Sequence, residues 1–492
     1  MAHSPVTPRL CDATLATLPP DVVRPAYDRA RTRIGIVHFG PGAFHRAHQA
    51  VYVDDLLADD PRWAICAVSL HSRKVCDALR PQDGLYTLAL LDQPPKLRVI
   101  GSIRELLYAP EDGLAVLVRL ADPAVRLVTL TITEKGYCLA GDDLDMSHPE
   151  IVHDLAAPGA PVSAIGHVVA GLRERHRRGL PPYAVLSCDN LADNGRRLRR
   201  AVSQYARHVD ADLADWIEAN VAFPRSMVDS ITPASDDALR ERVAARLGCV
   251  DAWPVQREPY TQWVVEDDFR DERPAFERVG VTVSRHIGGY DRAKLRLLNG
   301  SHSTLAYLGL LMDIENVAEA MRQPALAGFV ERLMHEDIAP CLDVPRGFDT
   351  GAYIDAILAR FRHPGIRHLL SQIAWDGSQK LPVRLLGTIA DALAAGRRVD
   401  RLSLPVAAWM RFVCRQARRG TPLVDPLAEV LASIARRTTG DARHDAETFL
   451  ALDAVFAPLS SDARFVDAVC GALATLGDAT PVAVARALAA AG

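Results

Sequence analysis

Three observations predict an α/β chain in two parts. An apolar run at Ile34–Phe39 stops at Gly40 and Gly42. Later β-branched runs end in polar residues, at Thr133-Glu134 and at Ser187-Cys188-Asp189-Asn190. Near residue 285 strand-like alternation fades, and a helical pattern rich in Ala, Leu and Arg takes over. The expectation is a Rossmann-type dinucleotide-binding domain over residues 1–284 and a mostly α-helical domain over residues 285–492.

The composition narrows the class of function. A chain of 492 residues that is 49% hydrophobic and 24% charged has the make-up of a soluble globular protein with ample core. Its formal net charge of -4 argues against a dedicated nucleic-acid binder. The nine cysteines lack C-x-x-C spacing, which favours reduced thiols and a cytoplasmic setting. No secretory signal and no apolar run of membrane-spanning length is legible, and no His/Cys/Glu spacing suggests a metal site.

Taken in order, residues 1–32 read as an extended, proline-punctuated arm. Ile34–Phe39 reads as a buried strand, followed by a glycine turn and a helix running through Asp55-Leu56-Leu57. Strand, glycine turn and helix form the phosphate-cradling arrangement, with Gly40 for the tight turn and Gly42 for close approach of a pyrophosphate. His45 holds the third glycine position, so the fingerprint is incomplete. A plain strand–turn–helix is the alternative. His45 and His48 read as structural or surface residues and not as metal ligands.

The strand Trp63–Leu70 ends without the acidic residue that binds an adenosine ribose, and Arg73-Lys74 follows. NAD is the expected cofactor, with NADP left open. Val128–Thr133 reads as a strand that delivers Glu134 to the ligand crevice. Residues 164–179 read as a helix, and the strand from Tyr183 ends at Asn190, a candidate oxyanion donor or a turn former. Short strands are expected at Phe223–Pro233 and, at a sheet edge, Val279–Ser284.

The richest stretch is Lys294-Leu-Arg-Leu-Leu-Asn299-Gly300-Ser-His302. At about 100° per residue, Lys294, Asn299 and His302 share one broad arc with Leu295, Leu298 and Leu305. Burial makes a Lys easier to deprotonate and so able to act as a general base. Asn299 offers an amide to a developing oxyanion, and His302 can orient a hydroxyl. A solvated Lys and a satisfied core His are the alternative reading. Gly300 inside a helical pattern suggests a kink or a close approach. A base, two amide donors and an imidazole suit hydride transfer from a secondary alcohol. A nucleotide-binding regulatory protein without catalysis is the rival from another class.

His38-Phe39-Gly40-Pro-Gly42-Ala-Phe44-His45-Arg46-Ala-His48-Gln, Thr133-Glu134-Lys-Gly-Tyr137, Ser187-Cys-Asp189-Asn190 with Asn194-Gly195, and Lys294 through His302 together resemble the mannitol dehydrogenase family of polyol-specific long-chain dehydrogenases. The resemblance spans roughly residues 30–470. It implies a metal-independent NAD(P) enzyme whose active site lies between a Rossmann-type and a helical domain. The implied catalytic set is Lys294 as base, Asn190 and Asn299 as oxyanion donors, His302 on substrate and Glu134 gating proton exchange. Phe39, Gly40, Gly42 and Phe44 would meet the cofactor, and Asp229 and Lys380 the substrate. That substrate is a small open-chain polyol or sugar acid, of the mannitol/fructose or mannonate/fructuronate type.

Two departures stand out. Ser230 replaces an Arg common in Val-Asp-Arg-Ile, and Gln372 stands where mannitol-oxidising members can carry Arg. Arg367-His368 to Lys380-Leu-Pro looks more like the mannonate-oxidising branch, with Arg367 or His368 placed to meet a carboxylate.

Overall fold

A computed structural model describes residues 8–491 apart from Gln93. Residues 1–7, the start of the expected arm, lie outside the described residues. The chain forms two compact units that divide between Ile287 and Gly288.

The first unit is built on a five-stranded parallel sheet. Its strands are β1 (Ile34–Phe39), β2 (Ala64–Ser69), β3 (Ile103–Tyr108), β4 (Leu127–Leu130) and β5 (Ala184–Ser187). Their order is β3-β2-β1-β4-β5, the doubly wound order with β1 at the switch point. Both faces are covered. Val37 and Phe39 point into one apolar cluster with the helix Ala164–Arg177, and Ile36 points into another with Gln49–Leu56. That is why these strands read as continuous apolar runs with no alternation. The register pairs Phe39 with Leu130 and Leu130 with Ser187. The residues that follow β1, β4 and β5 therefore lie side by side at one sheet edge.

A second sheet holds Ser226–Asp229, Gln262–Glu266 and, at its edge, Thr282–Ser284. A third joins Tyr86–Leu90, Lys96–Ile100 and Val255–Arg257.

Three expectations are corrected. The N-terminal arm is not simply extended, because Asp12–Thr17 and Arg29–Arg31 are 3₁₀ turns. The helix after the glycine turn is two helices, Ala43–Ala47 and Gln49–Leu56, broken at His48 (φ -123°, ψ -90°). The strand expected to reach Thr133 stops at Leu130. The amides of Ile132 and Thr133 turn away from the ladder and donate to the Asp189 carboxylate at 2.9 and 3.0 Å.

The second unit is helical. Among its described residues the only strand-like pairing is the isolated bridge Asn316–Leu369. Its centre is the helix Gly300–Leu311, buried on nearly every side, with Ser301, His302, Ser303 and Thr304 in its first half and an apolar second half. The chain tail forms two helices, Ala463–Leu476 and Pro481–Ala490, which bury Leu473, Leu476, Val484 and Leu488. Among the described residues no helix is long and apolar enough to cross a membrane.

Candidate active site

In the first unit the site begins at the end of β1. Gly40 has φ +88°, and a Cβ there would lie 2.2 Å from the Thr131 carbonyl oxygen. Only glycine allows β1 and β4 to close this tightly. Gly42 differs: the nearest atom to a Cβ is the Gly40 carbonyl oxygen, 3.9 Å away. The protein's own packing leaves that space open, which fits a backbone approached by a pyrophosphate.

His45, at the third glycine position, lies flat on His38 with ring centroids 3.4 Å apart and planes 8° apart. Stacking achieves the close helix–strand contact that a glycine would otherwise allow. The His38 Nδ1 pairs with Thr129 Oγ1 at 2.8 Å, and its Nε2 lies 3.0 Å from Thr131 Oγ1. Burial pushes His38 down to about 3 and holds His45 well below the ordinary range, so both rings are neutral packing elements. His48 is buried as well, its Nε2 against the Gln262 carbonyl at 2.9 Å. Phe39 is fully buried beside His167, leaving only its backbone at the sheet edge, whereas Phe44 is half-buried and stacks on His48.

Glu134 opens a short 3₁₀ turn, Glu134–Tyr137, and is exposed. Thr133 before it has φ +63°. Asp189 holds this turn. Besides the two amides, it accepts the Tyr137 hydroxyl at 2.7 Å. Burial raises the Asp189 carboxyl, and these donors pull it back down. Asn190 follows on an exposed bend.

Asn194 is a bracket. Its amide donates to Ser226 O at 2.8 Å and to Asp189 O at 3.1 Å, and its Oδ1 accepts from Gly195 N and Ser226 N. It ties the Asn190 bend to the strand that delivers Asp229, which is buried. Ser230 donates its hydroxyl to Tyr260 O at 3.1 Å. After β2, Arg73 engages both Asp77 and Glu111.

In the second unit the expected single α-helix is broken by a wide turn. Ile287–Ala293 is α-helical, Lys294–Asn299 is a π turn, and Gly300–Leu311 resumes the α-helix. Five residues along an α-helix separate two side chains by about 140°, whereas a π turn closes residue i on i+5. Over such a turn Lys294 and Asn299 are closer in angle than an α-helix would set them. Lys294 is 9% exposed and Asn299 is half-buried.

A second π turn, Pro382–Leu386, packs beside the first. Pro382 explains it: a proline inside a helix removes one hydrogen bond and crowds the carbonyl four residues back. A Cβ on Gly300 would lie 2.8 Å from the Arg384 carbonyl oxygen. The close approach expected at Gly300 is therefore between two widened helices.

His302 lies one turn further on, 7% exposed, with its ring 4.6 Å from Phe361 and 5.0 Å from His368. Among the described residues its Nε2 and the His368 Nδ1 are buried without a hydrogen-bond partner. Burial, together with His368, Arg360 and Arg384, keeps His302 well below the ordinary range and so neutral. Lys380 is half-buried with Nζ 3.4 Å from Ile373 O, and burial and Arg384 lower it.

Arg367, one of two carboxylate candidates, is 72% exposed and paired to Glu315 at 2.6 Å. Gln372 is exposed too. Of that pair only His368 faces His302. Arg384 escaped the sequence reading, although its place four residues after Lys380, on the same helical face, was a usable signal.

The fold also gathers Cys138, His148 and Glu150 within 4.8 Å, a set invisible in the spacing. Burial and the nearby carboxylates of Glu150, Asp154 and Asp145 push the Cys138 thiol up to about 12.

Residues 34–278 match the family model described as the mannitol dehydrogenase Rossmann domain, and residues 286–477 match its C-terminal domain. The chain is 41% identical over 462 residues to D-mannonate oxidoreductase of Escherichia coli K12, covering 92% of this chain and 95% of that one. It is 39% identical over 467 residues to mannitol 2-dehydrogenase of Aspergillus fumigatus, covering 91% and 92%. It also superposes on Pseudomonas fluorescens mannitol 2-dehydrogenase, solved as a ternary complex with NAD and D-mannitol. That match has a TM-score of 0.80 and 38% identity, and covers 98% of this chain and 99% of that one.

Proposed function

Because the chain belongs to the mannitol dehydrogenase family, and is thus an NAD-dependent dehydrogenase acting on CH–OH groups, we propose that it interconverts the carbinol and ketone of an open-chain polyol or sugar acid. NAD supplies the hydride acceptor, and the open space at Gly42 and the tight turn at Gly40 suit its pyrophosphate. Lys294 takes the carbinol proton. Asn190 and Asn299 donate amide hydrogens to the oxygen as negative charge builds on it. Neutral His302 offers Nε2 to a substrate hydroxyl, and Asp229 and Lys380 hold further hydroxyls. Glu134, exposed at its turn, passes the proton on to water. No step assigned to these side chains calls for a metal.

The observation that carries this reading is the π turn that brings buried Lys294 closer in angle to Asn299, one helical turn before buried His302. Such turns concentrate at functional sites, and of the three among the described residues two, Lys294–Asn299 and Pro382–Leu386, pack together while the third is Leu333–Ile338.

The test is to follow nicotinamide absorbance with mannonate, mannitol, fructuronate and fructose, each with NAD or NADH. Turnover of at least one pair is expected. Lys294→Ala should lower kcat by about 1000-fold or more while NAD affinity stays within roughly twofold. A Lys294→Ala enzyme that keeps most of its rate would remove the base from that residue.

A further inference from the structure

We propose that Arg384 receives the carboxylate of a sugar-acid substrate, so that this site is built for an aldonate or ketouronate and not for a neutral polyol. The proposal rests on the dehydrogenase reading above and narrows its substrate class.

The placement is rigid. Arg384 lies in the π turn Pro382–Leu386, and its carbonyl seats against Gly300 at the junction between the Lys294–Asn299 turn and the helix bearing His302. Its Nη1 donates to the Ser303 hydroxyl at 3.2 Å, and Ser303 is fully buried next to His302.

Among the described residues Arg46, Arg175 and Arg257 are buried without an ion pair, the first two donating to backbone carbonyls; other arginines are matched with carboxylates. Buried Arg411 is paired with Asp445 at 2.9 Å, and Arg296 with Asp391 at 2.6 Å. Among the described residues Arg384 has no carboxylate partner; its hydrogen bond is to a neutral hydroxyl. The groups nearby are mostly donors or neutral rings; the acid among them, Asp376, lies 4.0 Å from the Lys380 Nζ. Lys380 lies four residues earlier on the same helical face, and among the described residues His302 and His368 each keep a buried ring nitrogen without a hydrogen-bond partner. Burial lowers Arg384, and only Tyr307 opposes that.

A half-buried guanidinium with no counter-charge costs stability. So do buried imidazole nitrogens without a hydrogen bond. One ligand would satisfy all of these at once: an anion with two coplanar oxygens beside a row of hydroxyls. The planar fork of Arg matches a carboxylate through two parallel hydrogen bonds. A polyol brings hydroxyls but leaves the charge uncompensated.

The experiment compares wild-type turnover of D-mannonate with that of D-mannonamide, which keeps the shape and loses the charge. It also compares fructuronate with fructose for wild type, Arg384→Met and Arg384→Lys. We expect the amide to be poorer than the acid by about 100-fold in kcat/KM, as befits loss of a desolvated charge pair. Arg384→Met should lower kcat/KM for fructuronate at least 10-fold more than for fructose, mainly through KM, and Arg384→Lys should restore part of the difference. Equal use of acid and amide, an equal loss on fructuronate and fructose, or a wild type that prefers mannitol would each overturn the carboxylate assignment and leave the dehydrogenase reading standing. A wild type that turns over none of these compounds would instead sink that reading. Because the amide comparison uses wild type, it decides the matter even if Arg384→Met fails to fold.

Discussion

The Tyr137 hydroxyl donates to the Asp189 carboxylate at 2.7 Å and thereby ties the turn that carries Glu134 to the bend that carries Asn190. Neither residue is assigned to chemistry, yet they fix where two assigned residues stand. Tyr137→Phe leaves the partly desolvated Asp189 short of one donor, which costs on the order of 1–3 kcal/mol. We predict a lower melting temperature, faster amide exchange at Ile132 and Thr133, and a fall in kcat larger than the change in KM for NAD. Unchanged exchange at those two amides would show that the turn holds itself.

The two glycines after β1 should fail differently. Gly40→Ala forces a Cβ onto the Thr131 carbonyl at positive φ, so it should destabilise the fold by roughly 2 kcal/mol or more. Gly42→Ala meets nothing among the described residues nearer than 3.9 Å, so its melting temperature should hold. Its Kd for NAD should rise about tenfold, close to 1.4 kcal/mol. Titration of nicotinamide fluorescence alongside thermal melts separates the two outcomes.

Cofactor choice should follow Arg73. Held by Asp77 and Glu111, it is already neutralised, and the enzyme should prefer NAD to NADP by about tenfold or more. Asp77→Asn combined with Glu111→Gln frees the guanidinium. NADP use should then improve several-fold in kcat/KM, with NAD use little altered. No gain with NADP would place Arg73 out of reach of the ribose.

Gly300→Ala places a Cβ 2.8 Å from the Arg384 carbonyl and pushes the two π turns apart. The expected result is a kcat loss of about tenfold or more, out of proportion to a modest drop in stability. Full activity would mean that the spacing of the two turns does not set the geometry of Lys294.

Acid should destabilise the first unit through its buried imidazoles. His38 sits near 3 and His167 near 4 in the folded chain, against an ordinary 6.5. Their folded forms are neutral, and the unfolded chain takes up the protons. Stability is therefore complete above about pH 6.5 and is lost as pH falls from there towards 4, at up to about 1.4 kcal/mol per pH unit for each imidazole. Urea melts from pH 7.5 down to 4.5 should show this slope, and His167→Phe should flatten it.

The sequence by itself determined the sheet-building half of this protein, for a local reason. Ile34–Phe39 and Gly40 carry their structure in their own side chains: an apolar run must be buried, and a positive φ needs glycine. The Lys294–His302 stretch likewise announced its chemistry, since Lys, Asn and His are conspicuous among leucines.

Periodicity assumes a constant angle per residue, so it missed the π turn at Lys294–Asn299, where packing against the Pro382–Leu386 turn accompanies the widening. It gave no hint that Asp189 would end β4 early, because that needs a carboxylate 57 residues from the amide it captures. It offered Arg367, which the fold turns outward to Glu315, and passed over Arg384, which has no carboxylate partner among the described residues. Residue types reveal which chemistry a chain can perform. Which charges end up compensated depends on contacts between distant segments, and tertiary structure alone decides that.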